Sequence, residues 1–308
     1  MSKLTIGVLI KEAAEAHKVG DYIKEKNSYQ ELYDLFKCEL GEKHSNTLSA
    51  LNNLANSYSC LGDYNKACEL QNTVYNVSKE ILGERHIDTL ISLHNLACSY
   101  SNLGDYNKAC ELQNVVCNAF KEILGEKHPN TLSALNSLAN SYSCLGDYNK
   151  ALELKIIVYN TRKEVLGEKH PDTLNALNNL ANAYSDLGDY NKACELENLV
   201  YNAKKEILGE KHPNTLTALD NLACYHSDLG DYNKACELEN IVYNARKEIL
   251  GEKHLDTLNA LNNLACYHSD LGDYNKALEL ENTVYNARKE ILGENHPDTL
   301  TVLNNLAI

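Results

Sequence analysis

The chain has 308 residues and a net charge of −14, with 29 Lys and Arg against 43 Asp and Glu. That balance argues against nucleic acid as a partner, because binding phosphates needs clustered Lys and Arg that displace counterions. No stretch approaches the roughly 20 apolar residues of a membrane span, so the expectation is a soluble, cytoplasmic protein with no membrane partner.

The apolar run from Lys3 to Ile10 is broken by Lys11 and followed by no convincing small-residue cleavage site, so it is not read as a signal sequence. From Gly20 to Gly293 glycine then falls at every twenty-first residue, fourteen times. Two different segments alternate between these glycines, which makes the true repeat 42 residues long. A fixed period of this size predicts stacked supersecondary units, each burying its apolar face against its neighbours.

Residues 1–44 form an atypical first pair of segments, with Glu12 and Glu25 where later units carry Leu and Ala. Polar substitutions of that kind suit a capping pair. Residues 45–296 hold six tandem units; those at 168–209 and 210–251 differ at only 8 of 42 positions. In the first of these two, Leu174, Leu177, Leu180, Ala181, Tyr184 and Leu187 recur at spacings of three and four, one stripe of a helix A. Pro171 suits the first turn, Asp172 complements the helix dipole, and Gly188 can close the helix in a left-handed conformation. Asp189 is a good N-cap for a helix B that runs through Tyr190, Ala193, Leu196, Val200, Ala203 and Ile207 to Gly209. Short linkers make A and B an antiparallel hairpin. Residues 297–308 begin a further unit that stops inside helix A. Its apolar L-N-N-L-A-I end is a poor cap, and predicts either a longer array or an end that self-associates with another chain.

Leu177, Leu180, Ala181, Tyr184, Gly188, Tyr190 and Ala193, in that order, resemble the small and large packing positions of tetratricopeptide repeats. The 42-residue length, the L-N-N-L-A core and the L-G-E-K-H-P-D-T junction resemble the kinesin light chain subtype, and the likeness runs from about Lys3 to Ile308. The resemblance implies an all-α, right-handed solenoid of antiparallel helix pairs, with no enzymatic activity, whose A helices line a concave face that holds an extended peptide of a partner protein. Two features depart from it. Gln71, Gln113, Lys155, Glu197, Glu239 and Glu281 replace the family's aromatic on helix B, and no heptad coiled coil precedes the repeats. The fold and the binding mode therefore carry over, and the motor partner does not.

The resemblance places the second Asn of L-N-N-L-A on the concave face. That ladder is Asn53, Asn95, Asn179, Asn221, Asn263 and Asn305, with Ser137 in one slot. A carboxamide both donates and accepts, so it can pair with the backbone of almost any extended peptide. Asn52, Asn136, Asn178 and Asn262 flank the ladder one residue earlier, and Asn56, Asn140 and Asn182 lie one turn later. The plainer alternative is that these side chains are solvated or bond to neighbouring repeats. From Ser45 onward no A helix carries a Lys or Arg, while Asp186, Asp220, Asp228 and Asp270 accumulate toward the C-terminal half. This predicts a neutral to basic peptide, with charge acting mainly on association rate and specificity; the alternative is that these Asp residues only solvate the helix.

Eleven cysteines suggest disulfides or metal, but the periodicity argues otherwise. Cys68, Cys110, Cys194 and Cys236 share a repeat position with Leu152 and Leu278, as a small apolar filler would. Cys98, Cys224 and Cys266 share one with Asn56, Asn140 and Asn182. Equivalent residues on neighbouring units stand roughly 8–10 Å apart or more, beyond the reach of a disulfide at about 7 Å, so reduced thiols are expected. The junction residues His44, His86, His128, His170, His212, His254 and His296 read as structural caps. His226 and His268 form Cys-x-His pairs with Cys224 and Cys266, but residues two apart on a helix do not share a face; Tyr225 and Tyr267 suggest a shifted Tyr register instead. No metal site, cofactor site or catalytic residue is assigned, since P-loop, G-x-S-x-G, H-E-x-x-H and G-x-G-x-x-G patterns are missing from the sequence. Two other roles are compatible with these residues: a docking or sensor arm of a larger signalling NTPase that continues past Ile308, or an array that assembles end to end.

Overall fold

In the computed structural model, which describes residues 3–294 and 296–306, the glycine period becomes fifteen α-helices, with no strand among the described residues. The chain divides into two units, residues 1–158 and 159–308. The first contains α1 (Lys3–Lys18), α2 (Tyr22–Leu40), α3 (Ser45–Cys60), α4 (Tyr64–Leu82), α5 (Ile87–Asn102), α6 (Tyr106–Leu124), α7 (Pro129–Cys144) and the start of α8 (Tyr148–Leu166). The second contains the rest of α8 and α9 (Pro171–Asp186), α10 (Tyr190–Leu208), α11 (Pro213–Asp228), α12 (Tyr232–Leu250), α13 (Leu255–Asp270), α14 (Tyr274–Leu292) and α15 (Pro297–Asn305). Odd-numbered helices are the A segments and even-numbered ones the B segments. Within the first unit each helix from α1 to α7 packs on the next, and within the second the same holds from α9 to α15. Both units are therefore stacks of helix hairpins, an all-α solenoid architecture.

The punctuation works through identifiable bonds. Helix α9 ends where Gly188, at φ +81°, lets the Asp189 amide reach back to the Tyr184 carbonyl at 2.9 Å. The Asp189 carboxylate then accepts from the Lys192 amide at 3.0 Å and starts α10. At the far end Gly209 donates its amide to the Lys205 carbonyl and holds φ 93° and ψ 161°. The junction histidine performs the next cap: His212 Nδ1 accepts from the Asn214 amide at 3.2 Å and opens α11. The equivalent His caps α3, α5, α7, α9, α13 and α15. A buried threonine three residues after that His fastens some junctions, as Thr131 Oγ1 does by donating to the Gly125 carbonyl at 2.9 Å.

The apolar stripes meet as the sequence pattern requires. Leu177, Leu180 and Ala181 on α9 and Ala193 and Val200 on α10 are all buried. Taking a Leu side chain fully out of water contributes roughly 1.5–3 kcal/mol, so each hairpin gains most of its stability from its neighbours. Cys68, Cys110, Cys194 and Cys236 are buried within these stripes, and all eleven thiols are free. In the first pair Glu25 is buried on α2 and its carboxylate meets His17 Nδ1 at 3.1 Å.

Candidate functional site

The second Asn of the L-N-N-L-A motif lies in the middle of its A helix at Asn53, Asn95, Asn179, Asn221 and Asn263 and at the last residue of α15 at Asn305; all six, and Ser137, are half-buried. Stacking gives several of these side chains a partner in the previous repeat. Asn95 Nδ2 donates to Asn52 Oδ1 at 2.8 Å, Asn221 to Asn178 at 2.9 Å, and Asn263 to Asp220 at 3.2 Å. The two asparagines of the motif thus act in part as a clasp between repeats. Asn53 differs: its Oδ1 accepts from Asn52 Nδ2, its neighbour in sequence, at 3.5 Å.

Beneath the clasp lies the residue of helix B that stands in the family's aromatic position. Gln71 is buried and donates to Asn52 Oδ1 at 3.1 Å and to Asn56 Oδ1 at 3.4 Å. In the second unit the position is Glu197, Glu239 and Glu281; Glu281 is half-buried, while Glu197 and Glu239 are 0% exposed and their Oε1 atoms accept from Asn221 and Asn263 at 3.4 Å. The Oε2 atom of each of these two buried acids has no hydrogen-bond partner. Burial pushes the Glu197 carboxyl up to about 7. Burial, joined by the charge and hydrogen bond of Asp220, pushes Glu239 up to about 9. These acids are polar core residues that favour the neutral form.

The remaining predicted residues are more scattered. Asn56 and Asn140 are exposed, while Asn182 is half-buried and accepts from the Tyr225 hydroxyl at 2.5 Å. Tyr267 repeats that bond one unit on, donating to Cys224 Sγ at 3.3 Å. The tyrosine register is therefore shifted in these two repeats, with Tyr225 and Tyr267 buried. Asp186, Asp228 and Asp270 are exposed at the last residues of α9, α11 and α13. They stand seven residues beyond the ladder Asn, about 10 Å along the axis, so they flank the asparagine row and do not join it.

From α3 onward the cations missing from the A helices arrive from the B helices. Lys204 and Arg288 are buried, and the Arg246 side chain is 13% exposed. Arg246 pairs with Asp220 at 3.2 Å, and Arg288 donates to Asn259 Oδ1 at 2.7 Å. The acidity of this face is thus partly compensated from below. The sequence carried a signal for it: the same repeat position reads Phe36, Ser78, Phe120, Arg162, Lys204, Arg246 and Arg288. At Ser78, the smallest of these, a cleft of about 480 Å³ opens between α3 and α5 above α4, with Asn52, Asn53 and Asn95 in its walls. Among the described residues no group of three or more His, Cys, Asp and Glu could hold a metal ion. No described helix is long and apolar enough to cross a membrane.

A tetratricopeptide repeat model matches residues 46–122, 100–156 and 228–290, and a second tetratricopeptide repeat model matches 173–214. A solved putative kinesin light chain of Podosopora anserina, with nearly identical TPR-like repeats, is 29% identical over 66% of this chain and 95% of its own, at a TM-score of 0.60. BtubC (BKLC) from P. vanneervenii is 19% identical over 79% of this chain and 92% of its own, at a TM-score of 0.60. NprR in complex with its cognate peptide NprX is 15% identical over 100% of this chain and 90% of its own, at a TM-score of 0.57. No curated protein sequence matches the chain.

Proposed function

The chain belongs to the tetratricopeptide repeat family, in its kinesin light chain-like form, and we propose that it is a non-enzymatic cytoplasmic scaffold that holds an extended segment of a partner protein along the asparagine-lined face of its A helices. The observation that carries this reading is the half-buried carboxamide at one repeat position within each unit, Asn53 and Asn95 in the first and Asn179, Asn221, Asn263 and Asn305 in the second. Asn53 and Asn95 line an open cleft, where a peptide backbone can meet both a donor and an acceptor. A protein of the same fold, NprR, has been solved with a peptide bound. The exposed Asp186, Asp228 and Asp270 beside the row, with no Lys or Arg on the A helices from α3 onward, favour a neutral to basic segment.

Affinity capture from lysate, comparing wild type with Asn53→Ala and Asn179→Ala combined, tests the reading. Loss of a captured protein at unchanged helicity supports it. Undiminished binding of a partner mapped to one extended segment would refute it.

A second reading rests on α15. Leu300 and Leu303 are each 41% exposed, whereas their equivalents Leu174 and Leu177 are 4% and 5% exposed. That apolar face suits contact with a further helix, including one from a second copy of the chain. Light scattering that stays monomeric at high concentration would exclude the second copy.

A further inference from the structure

We infer that the cleft at Ser78 is an arginine slot, open in this repeat to the side chain of a bound partner. The chain itself shows what the slot holds. Arg162, Arg246 and Arg288 occupy the equivalent position, and each donates Nη1 to the backbone carbonyl ten residues on: Asp172 at 3.1 Å, Asp256 at 3.4 Å and Asp298 at 3.0 Å. The residue at the receiving position follows its partner. Ten residues after each of the three arginines stands Asp, while Phe36, Phe120 and Lys204 precede Asn46, Asn130 and Asn214 by the same spacing. Ser78 breaks the rule, because ten residues on stands Asp88, the arginine-type acceptor without an arginine.

The geometry agrees with the pairing. Where Lys204 or Arg246 fills the position, the junction cleft measures about 70 or 290 Å³ and no L-N-N-L-A asparagine lines it; at Phe36 it measures about 380 Å³ and reaches Asn53 alone of them. With Ser78 it measures about 480 Å³ and reaches Asn52, Asn53 and Asn95. Leu48, Val74 and Ile91 give its floor an aliphatic surface for the methylene stem, and Asp88 is the one charged residue in its lining. The Asp88 carboxylate is 70% exposed, with His86 Nδ1 at 3.7 Å. Ser92 Oγ donates to the Asp88 carbonyl at 2.9 Å and lies 3.4 Å from Ser78 Oγ, to which it can turn when a guanidinium arrives. An incoming arginine would sit beside the asparagines that take the peptide backbone. The slot rests on the peptide-binding reading and gives it a side-chain preference.

The test uses N-acetyl-arginine methylamide, too short to depend on an extended backbone, followed at the ¹³C-labelled methyl group of Ile91 by NMR on the full chain. The expected result is a saturable shift, weakened about tenfold in Asp88→Asn by loss of a charge-assisted contact and abolished in Ser78→Arg, which supplies the side chain from within. Ser78→Phe, which installs the residue found at Phe120, must also block the shift, and keeps the test open should Ser78→Arg fail to fold. N-acetyl-phenylalanine methylamide and N-acetyl-leucine methylamide should bind at least several-fold more weakly. No saturable shift, an equal shift in both Ser78 variants, or preference for the phenylalanine probe would overturn the slot. Each of those results leaves the asparagine row to be judged by lysate capture, so the two readings fail separately.

Discussion

Asn221 Nδ2 lies 2.9 Å from Asn178 Oδ1, forty-three residues earlier, and the same Nδ2 lies 3.4 Å from the buried Glu197 Oε1. One carboxamide therefore ties α11 to α9 and to α10. Truncating it removes a donor from two acceptors in a half-buried site, which costs about 1 kcal/mol or more. Asn221→Ala and Asn263→Ala should each lower the urea midpoint of unfolding, and Asn53→Ala should lower it far less. Equal midpoints for all three variants would show that the clasp contributes nothing.

The neutral acids make stability depend on pH in a defined direction. The folded carboxyls of Glu197 and Glu239 are raised by burial to about 7 and about 9, from an ordinary value of 4.5. Lys204 lowers the first and Arg246 the second, but less than burial raises them. Above about pH 4.5 the unfolded chain releases these protons while the folded chain keeps them, so stability falls as pH rises through that window toward 7 for Glu197 and 9 for Glu239. Glu197→Gln and Glu239→Gln install the residue found at Gln71 and Gln113. Each should raise the unfolding free energy at pH 8 by an amount on the order of 2 kcal/mol and change it little at pH 4.5. A Gln variant whose gain is the same at both pH values would show that these groups ionise alike in both states.

The fold could be read from the sequence because its determinants are local. Pro171, Gly188, Asp189 and His212 each act within about one helical turn of themselves, and the stripe from Leu174 to Leu187 needs only helical period to be recognised. The row of asparagines was visible for the same reason. Its second role was not, because the partner of Asn221 is set by how one repeat lies on the last. The polar residues on helix B registered as departures from a family pattern, but their burial depends on tertiary packing. The arginines at 246 and 288 escaped a reading that counted charges helix by helix, since a long side chain rooted on one helix can place its charge on the face of another. Their ten-residue pairing with Asp256 and Asp298 was present in the sequence all along.

The junction histidines act through an acceptor nitrogen, so a smaller residue with a side-chain oxygen should replace them. His212→Ala removes the bond to the Asn214 amide and should cost about 1 kcal/mol. His212→Asn or His212→Ser should restore most of that loss. Equal thermal midpoints for the Ala and Asn variants would show that His212 acts by packing and that its Nδ1 bond is incidental.

The two glycines of each unit should respond differently to asparagine. Gly188 has φ +81° and closes α9 with the left-handed turn that Asn tolerates. Gly209 has φ 93° with ψ 161°, an extended conformation at positive φ that is essentially reserved for glycine. No heavy atom lies within 4 Å of a Cβ built at either position, so the cost of substitution comes from the backbone alone. Gly188→Asn is therefore expected to be mild, while Gly209→Asn should lose on the order of 1–3 kcal/mol, as much as Gly209→Ala. Chemical unfolding of the three variants decides the matter. If Asn rescues position 209 as well as it serves position 188, the backbone there can relax into the left-handed helical region, and the junction does not require the geometry that links α10 to α11.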